Sequence, residues 1–319
     1  VSPDEVIETM WSAPAFIDEA IREIRDVVGD NRVLSACSGG VDSTTATVLV
    51  HKAVGDHLTA VFIDDGLRRQ GEPEFVVQTL QDLGIPARLV DAHREFFASL
   101  EGKTDAEEKR KAFRDRFYTT LGRVAREEQV TFMAQGTIKA DVVETVQGIK
   151  TQHNVLEQIG IDPAIYGYAI LEPLKALFKP EVRRVARALG LPAAISERMP
   201  FPGPALSIRV IGEVTPEKVA VCRQATAIVE AETRHLDAFQ SFAVLHNDRA
   251  TGIKAGKRVY GNIITVRVVA SEDAVTAKAL HVPFEVLDRI AERVTREIPS
   301  VVRCLYDVTH KPPATIEFE

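Results

Sequence analysis

The chain has 319 residues, 45% of them apolar and 27% charged, with a formal net charge of −7. That length and composition suit a soluble globular protein of two domains or one large one, with a substantial core. They argue against a general nucleic-acid binder, which carries a basic excess, and no apolar run approaches the ~20 residues of a membrane span. Cys37, Cys222 and Cys304 form no C-x-x-C. Neither a zinc site nor a disulfide framework is expected, and all three suit burial as small hydrophobes in a reducing compartment. Residues Val1 to Glu5 do not read as a signal peptide, so the expected location is cytoplasmic, with no membrane partner.

Apolar residues at helical spacing predict a helix over 15–28, and a short buried strand follows over 32–37. A helix over 44–53, a strand over 58–63, a helix over 74–83, a strand over 87–90, a long helix over 106–127 and a strand over 130–134 continue the alternation. Such alternation implies an α/β fold with a doubly wound parallel sheet, whose ligands bind beyond the carboxyl ends of the strands. From 148 to 168 the periodicity breaks down, which reads as a lid or a disordered segment. A helix over 180–189 restores it, and Pro200-Phe201-Pro202-Gly203-Pro204 marks a rigid junction. Beyond it we expect strands over 205–211, 239–245, 262–269, 301–308 and 315–318 with helices over 216–233 and 283–296, a smaller α+β unit.

Between the first strand and the next helix lies Ser38-Gly39-Gly40-Val41-Asp42-Ser43. Adjacent glycines let the backbone come close to a ligand and reach positive φ, so successive N–H groups can converge on an anion at a helix N-terminus. Ser38, Ser43 and Thr44 are expected to add hydroxyl donors; an ordinary turn capped by Asp42 or Ser43 is the plainer alternative. Neither G-x-x-x-x-G-K-[ST] nor G-x-G-x-x-G is present. Asp64 also lies at a strand's carboxyl end. Asp141 and Glu144 stand at i, i+3, a spacing that suits Mg²⁺ bridging phosphates or a solvated acidic face.

The S-G-G-x-D-S pattern resembles the pyrophosphate loop of the N-type ATP pyrophosphatases. With Phe62-Ile63-Asp64-Asp65-Gly66-Leu67, Ala134-Gln135-Gly136-Thr137-Ile138, Leu177 to Arg183, Pro200 to Pro204 and Lys311-Pro312-Pro313-Ala314-Thr315-Ile316-Glu317, in that order, it resembles the ATP pyrophosphatase subunit of the GMP synthetase family, without the glutamine amidotransferase domain. The resemblance implies an adenine nucleotide alpha hydrolase-like domain over 1–204 and a C-terminal domain over 205–319 that dimerises and binds the substrate nucleotide. It implies a ligase that uses ATP to adenylylate xanthosine 5′-monophosphate (XMP), after which ammonia from a glutaminase partner displaces AMP to give GMP. ATP and Mg²⁺ would be required.

By resemblance, Ser38, Gly39, Gly40, Val41, Asp42, Ser43, Asp64, Gly136 and Lys150 serve ATP; Asp42, Asp141 and Glu144 the metal; and Asp42, Asp141, Glu144, His153 and Lys179 the chemistry. Arg110, Gln240, Arg303, Lys311, Ile316 and Glu317 match positions contacting the substrate nucleotide, with Pro202 and Gly203 shaping its pocket. Asp42 suits helix capping equally. The chain departs from the family at Gln152, Leu156 and Glu157, at Met199 and Ala205 where a histidine and a glycine are usual, at Lys139 and Ala140, and at Ala112 to Arg114. A divergent relative adenylylating another nucleotide-like substrate, and a non-catalytic nucleotide-binding module, are the alternatives.

Overall fold

The computed structural model describes residues 11–139, 168–271 and 274–319. Asp141, Glu144, Lys150, Gln152 and His153, and the segment read as a lid up to residue 167, lie outside those residues. The described residues form two compact units. One holds the segments up to Ile63, Pro73–Val90 and those from Thr119 to Arg198; the other holds Asp64–Glu72, Asp91–Tyr118 and Met199–Glu319.

In chain order the elements are α1 (Ala13–Val28), β1 (Val33–Ala36), α2 (Val41–Val54), β2 (Leu58–Asp64), α3 (Glu72–Asp82), β3 (Ala87–Asp91), α4 (His93–Leu100), α5 (Ala106–Glu127), β4 (Phe132–Ala134), β5 (Ala169–Leu171), α6 (Lys179–Ala188) and α7 (Ala193–Ser196). The strands of the first unit make a five-stranded parallel sheet in the order β3-β2-β1-β4-β5. Ser12 starts α1 by accepting the Ala15 N–H, and Ile17, Ala20, Ile24 and Val28 line its buried stripe. The central position of β1 explains its apolar sequence, because both its edges and both its faces are covered. The strand order reverses direction at β1, so the crevice of a doubly wound sheet opens where β1 and β4 end.

Helix α2 is buried around most of its girth, including Thr44, Thr45 and Thr47. Each of these hydroxyls donates to the carbonyl four residues back, and Thr47 also meets Ser35 at 2.7 Å. Buried hydroxyls are thereby satisfied within the helix.

The second unit contains a 3-10 turn (Ala205–Ile208), α8 (Pro216–Thr233), β6 (Gln240–Lys254), β7 (Lys257–Ala270), β8 (Lys278–Ala279), α9 (Phe284–Glu297) and β9 (Val301–Tyr306). β6 and β7 form an antiparallel hairpin, and β9 runs parallel to β7. Phe242, Val244, Val269, Ala277 and Ile316 pack together in its core.

Two expected strands are corrected. Residues 205–211 open as a 3-10 turn, because Ala205 takes φ +55° and only Val210 makes a bridge, to Leu245. Residues 315–318 are no strand; buried cationic side chains hold that segment. The β6 and β7 arms run further than expected, and α4, β5 and β8 were not anticipated. Among the described residues no helix is long and apolar enough to cross a membrane.

Candidate active site

The loop after β1 delivers the chain to helix α2 through Gly39, at φ +78°, and Gly40, the N-cap. Gly40 has no side chain to cap the helix, so the usual substitute for an N-terminal acceptor is missing. Among the described residues, the backbone N–H groups of Gly39, Gly40, Val41, Asp42 and Ser43 donate to nothing; the first bonded one is Thr44 N–H, to Gly40 O at 3.0 Å. Consecutive unpaired donors at the positive end of a helix form an anion site.

The hydroxyls of Ser38, Ser43 and Thr44 make hydrogen bonds within the loop. Ser43 Oγ donates to Gly40 O and accepts from Ser38 N–H at 3.2 Å, with Ser38 Oγ 3.0 Å away. Thr44, fully buried, donates to Gly40 O at 2.8 Å and lies 3.3 Å from Cys37 Sγ.

The segment after β4 lies against this loop. A Cβ on Gly136 would sit 2.6 Å from the Ser43 nitrogen and 2.7 Å from the Asp42 carbonyl carbon, closer than carbon contacts allow. Glycine is required for this approach. Beside it, Asp42 Oδ1, Gln135 Oε1 and Thr137 Oγ1 are buried without hydrogen-bond partners among the described residues. Buried oxygens left without partners are groups that a ligand or ion could complete.

Asp42 Oδ2 pairs with Lys179 Nζ at 2.6 Å. Lys179 opens helix α6, whose start is fixed by the Glu181 carboxylate on the Phe178 N–H at 2.7 Å. The structure therefore joins two of the sequence-predicted residues, Asp42 and Lys179. It adds a third that sequence reasoning missed: Arg198 Nη1 donates to Gly39 O at 3.3 Å.

Metal chemistry fits this loop in a limited way. The described residues contain no cluster of three or more His, Cys, Asp or Glu side chains suited to an ion. Asp42 Oδ1 is one free carboxylate oxygen, and Mg²⁺ commonly takes one or two carboxylates with the rest of its shell from phosphates and water.

In the second unit, Asp64 Oδ1 accepts the Gly66 N–H at 3.1 Å, and Oδ2 lies 2.8 Å from His93 Nε2. Fully buried Asp65 pairs with Arg68 at 2.6 Å, yet burial still pushes its carboxyl above the usual range. Arg223 of α8 grips this loop through the carbonyls of Arg68, at 2.8 Å, and Gly66.

The residues matched to the substrate nucleotide are partly assembled. Gln240 Nε2 donates to Pro200 O at 3.0 Å and reaches Glu317 Oε1 at 3.4 Å. Glu317 takes both arms of the buried Arg209 guanidinium, at 2.9 and 2.8 Å. Ile316 lies in the core beside Phe242. Lys311 Nζ donates to Ala274 O at 2.7 Å, and Pro202 O accepts the Ala205 N–H at 2.9 Å. Gly203 is exposed, Arg110 pairs with Glu107, and Arg303 is exposed on β9 and not drawn into this group.

Sequence reasoning missed three buried cations that secure the segment carrying Lys311 to Glu317. Arg267 donates to Thr315 O at 3.1 Å and pairs with Asp307 at 2.9 Å; Lys109 bonds Val210 O at 2.8 Å and pairs with Glu319; Arg209 holds Glu317. Burial pulls the Lys109 ammonium below the ordinary lysine range, against the raising pull of Glu319. Burial likewise pushes Cys222 and the half-buried Cys304 up to about 11, leaving both as poor nucleophiles.

Residues 15–192 match a family model described as a PP-loop domain, and residues 227–318 one described as a GMP synthase C terminal domain. A Methanopyrus kandleri protein, named as one of the subunits of a glutamine-hydrolyzing GMP synthase, is 49% identical, the match covering 97% of this chain and 100% of that one. A Thermococcus kodakarensis protein of the same name is 51% identical over 97% of this chain and 100% of its own. The solved NH3-dependent NAD synthetase of Campylobacter jejuni aligns at a TM-score of 0.47 with 16% identity, covering 61% of this chain and 80% of that one. On full-length identity near one half to these synthase subunits, the chain belongs to the GMP synthase family.

Proposed function

We propose that the protein catalyses the ATP-dependent amination of XMP to GMP, as the nucleotide-binding subunit of a two-subunit GMP synthase. The observation that carries this reading is near-full-length identity to proteins of that name, together with a loop presenting five backbone N–H groups at a helix N-terminus that have no partner among the described residues. In the first step the C2 oxygen of XMP attacks the α-phosphorus of ATP. An O–P bond forms, the bond from the α-phosphorus to the bridging oxygen breaks, and pyrophosphate departs with that electron pair. Ammonia then adds at C2, the C2–O bond breaks and AMP leaves with the oxygen; the nitrogen gives up one proton and keeps two as the amino group, the ring N–H proton having been lost when the oxygen was adenylylated.

The loop's N–H groups and the α2 dipole favour the charge that grows on departing pyrophosphate. Lys179 supplies a mobile positive charge beside it, and its bond to Asp42 keeps the ammonium at the loop mouth. Mg²⁺, held by Asp42 Oδ1 and the phosphates, would neutralise further phosphate charge. Asp141, Glu144, Lys150 and His153 complete the proposed ATP and metal residues. Gln240, Glu317 and Lys311 would receive the XMP nucleotide, with Arg110, Arg303, Ile316, Pro202 and Gly203.

Ammonia would come from a separate glutaminase subunit, in keeping with the "glutamine-hydrolyzing" name of the relatives. We read the active chain as a cytoplasmic homodimer, a point sedimentation equilibrium tests directly. The departures at Met199 and Ala205 do not call for another acceptor. Met199 contributes its backbone carbonyl to Arg69, and Ala205 occupies a positive-φ turn position that explains the usual glycine.

The test is incubation with ATP, Mg²⁺, XMP and ammonium, with GMP, AMP and pyrophosphate measured. The expected result is equal formation of all three, dependent on XMP, and no turnover with glutamine until a glutaminase is added. Pyrophosphate release indifferent to XMP, or none at all, would overturn the assignment.

A further inference from the structure

Arg209 is fully buried, yet it carries a formal charge and leaves Nη1 without a hydrogen-bond partner among the described residues. Two aromatic rings flank it, Phe242 with the guanidinium carbon 3.9 Å from its centroid and Phe201 at 4.9 Å. A site walled by phenylalanines would hold an apolar side chain at lower cost, because a buried ion pair loses hydration that its partner only partly restores. What the charge achieves is specific. Nε and Nη2 meet the two oxygens of Glu317 side by side, at 2.9 and 2.8 Å, a planar fork that fixes the carboxylate's rotation as well as its position.

Arg209 is not needed to keep the segment in place. Arg267 already donates to the carbonyls of Thr315 and Ile316, Lys109 pairs with Glu319, and Ile316 is packed in the core. Those contacts hold the backbone; among the described residues only Arg209, with a weaker reach from Gln240 at 3.4 Å, orients the Glu317 side chain. Glu317 keeps 16% of its side-chain surface exposed, so one edge of an otherwise locked acceptor faces outward.

We propose that Arg209 is a positioning residue for the substrate nucleotide. It holds the Glu317 carboxylate at a fixed angle as an acceptor for a donor group of the nucleotide, with the Phe201 and Phe242 rings packed against the guanidinium. The proposal rests on the reading that Glu317 receives XMP, and it adds a residue, a role and a measurable signature to that reading.

Arg209→Lys keeps the charge and removes the fork. With saturating ATP and ammonium, R209K is expected to raise KM for XMP by about tenfold or more, the loss of one oriented charge-assisted contact. KM for ATP should stay within about twofold and kcat within about threefold, since the pyrophosphate loop is untouched. Glu317→Gln should give the same KM pattern while leaving the Arg209 site filled, so it carries the test if R209K does not fold. In the double variant the two effects should fall well short of multiplying, because both break one contact. An unmoved KM for XMP in a folded R209K, equal losses for XMP and ATP, or multiplicative effects would each overturn the role of Arg209 while XMP turnover by the wild type persists. A wild type inert towards XMP would instead overturn the functional reading on which it stands.

Discussion

Gly136→Ala perturbs the candidate site by a single methyl group against backbone. The new Cβ would lie 2.6 Å from the Ser43 nitrogen, 2.7 Å from the Asp42 carbonyl carbon and 2.9 Å from the Ser43 Cα. Carbon contacts relax near 3.5 Å, so the loop and the segment after β4 must part by about 0.8 Å. None of the obstructing atoms belongs to a side chain that can swing aside. Asp42 and Ser43 carry two of the five N–H groups without a partner among the described residues, so the candidate anion site itself moves. A displacement near 1 Å in a positioned site costs on the order of 100-fold in rate, about 2.7 kcal/mol of transition-state stabilisation. Steady-state pyrophosphate release with saturating XMP and ammonium should show kcat/KM for ATP falling by about two orders of magnitude. Circular dichroism should report an intact fold, because overpacking at one strand end costs roughly 1–3 kcal/mol. A folded G136A protein with kcat/KM within threefold of wild type would refute the claim that this close approach sets the loop.

Lys179→Met removes a half-exposed ammonium and releases Asp42; kcat/KM for ATP should fall by roughly 10–100-fold while stability changes by less than about 1 kcal/mol, read by kinetics and thermal melts. Ala205→Val forces a β-branched side chain into a buried position at φ +55°, and a loss of about 3 kcal/mol or more in urea unfolding is expected, whereas A205G should stay within about 1 kcal/mol of wild type. Hydrogen bonds from Arg293 and Arg289 hold the Glu232 carboxyl below its usual range. A depressed carboxyl stabilises above its unfolded pKa and loses that contribution as pH falls through the folded one, so the gap in melting temperature between wild type and E232Q should be present at neutral pH and close under acid conditions.

The parallel sheet was legible because buried strands leave continuous apolar runs, as in Leu58 to Ile63, and each was followed by a helical stripe. The pyrophosphate loop was legible because its chemistry is local: six consecutive residues bring their own glycines and their own helix N-terminus. The outer hairpin was not. Residues 246–254 are exposed or half-buried throughout, alternating only from 249, and their arm exists because β7 pairs with it across a turn at Ala255 and Gly256, both at positive φ. Residues 315–318 have strand composition and no ladder to join, since strand propensity counts only beside a partner. Nothing local in the sequence marks Arg209 or Arg267 as buried. Each acquires its meaning from acceptors tens of residues away, Glu317 for one and the carbonyls of Thr309, Thr315 and Ile316 for the other.

The loop and the segment from Asp307 to Glu319 reach rigidity by opposite means, and the difference follows from what each would bind. At the loop, hydroxyls and an arginine occupy the carbonyls of Gly39 and Gly40, which leaves the N–H groups as the exposed chemistry. Those donors carry no sequence-specific shape and suit any phosphate chain, as a leaving-group site requires. Along the 307–319 segment, buried cations occupy carbonyls and carboxylates, and what remains outward is the edge of Glu317 and its neighbours, which are specific in angle and in sign. A carboxylate held at a fixed angle discriminates between nucleotides by the donor groups they offer, because a ligand lacking the matching donor leaves it desolvated and unpaired. Under the proposed function, activation by ATP would rest on backbone geometry in the first unit, and choice of acceptor on oriented side chains in the second.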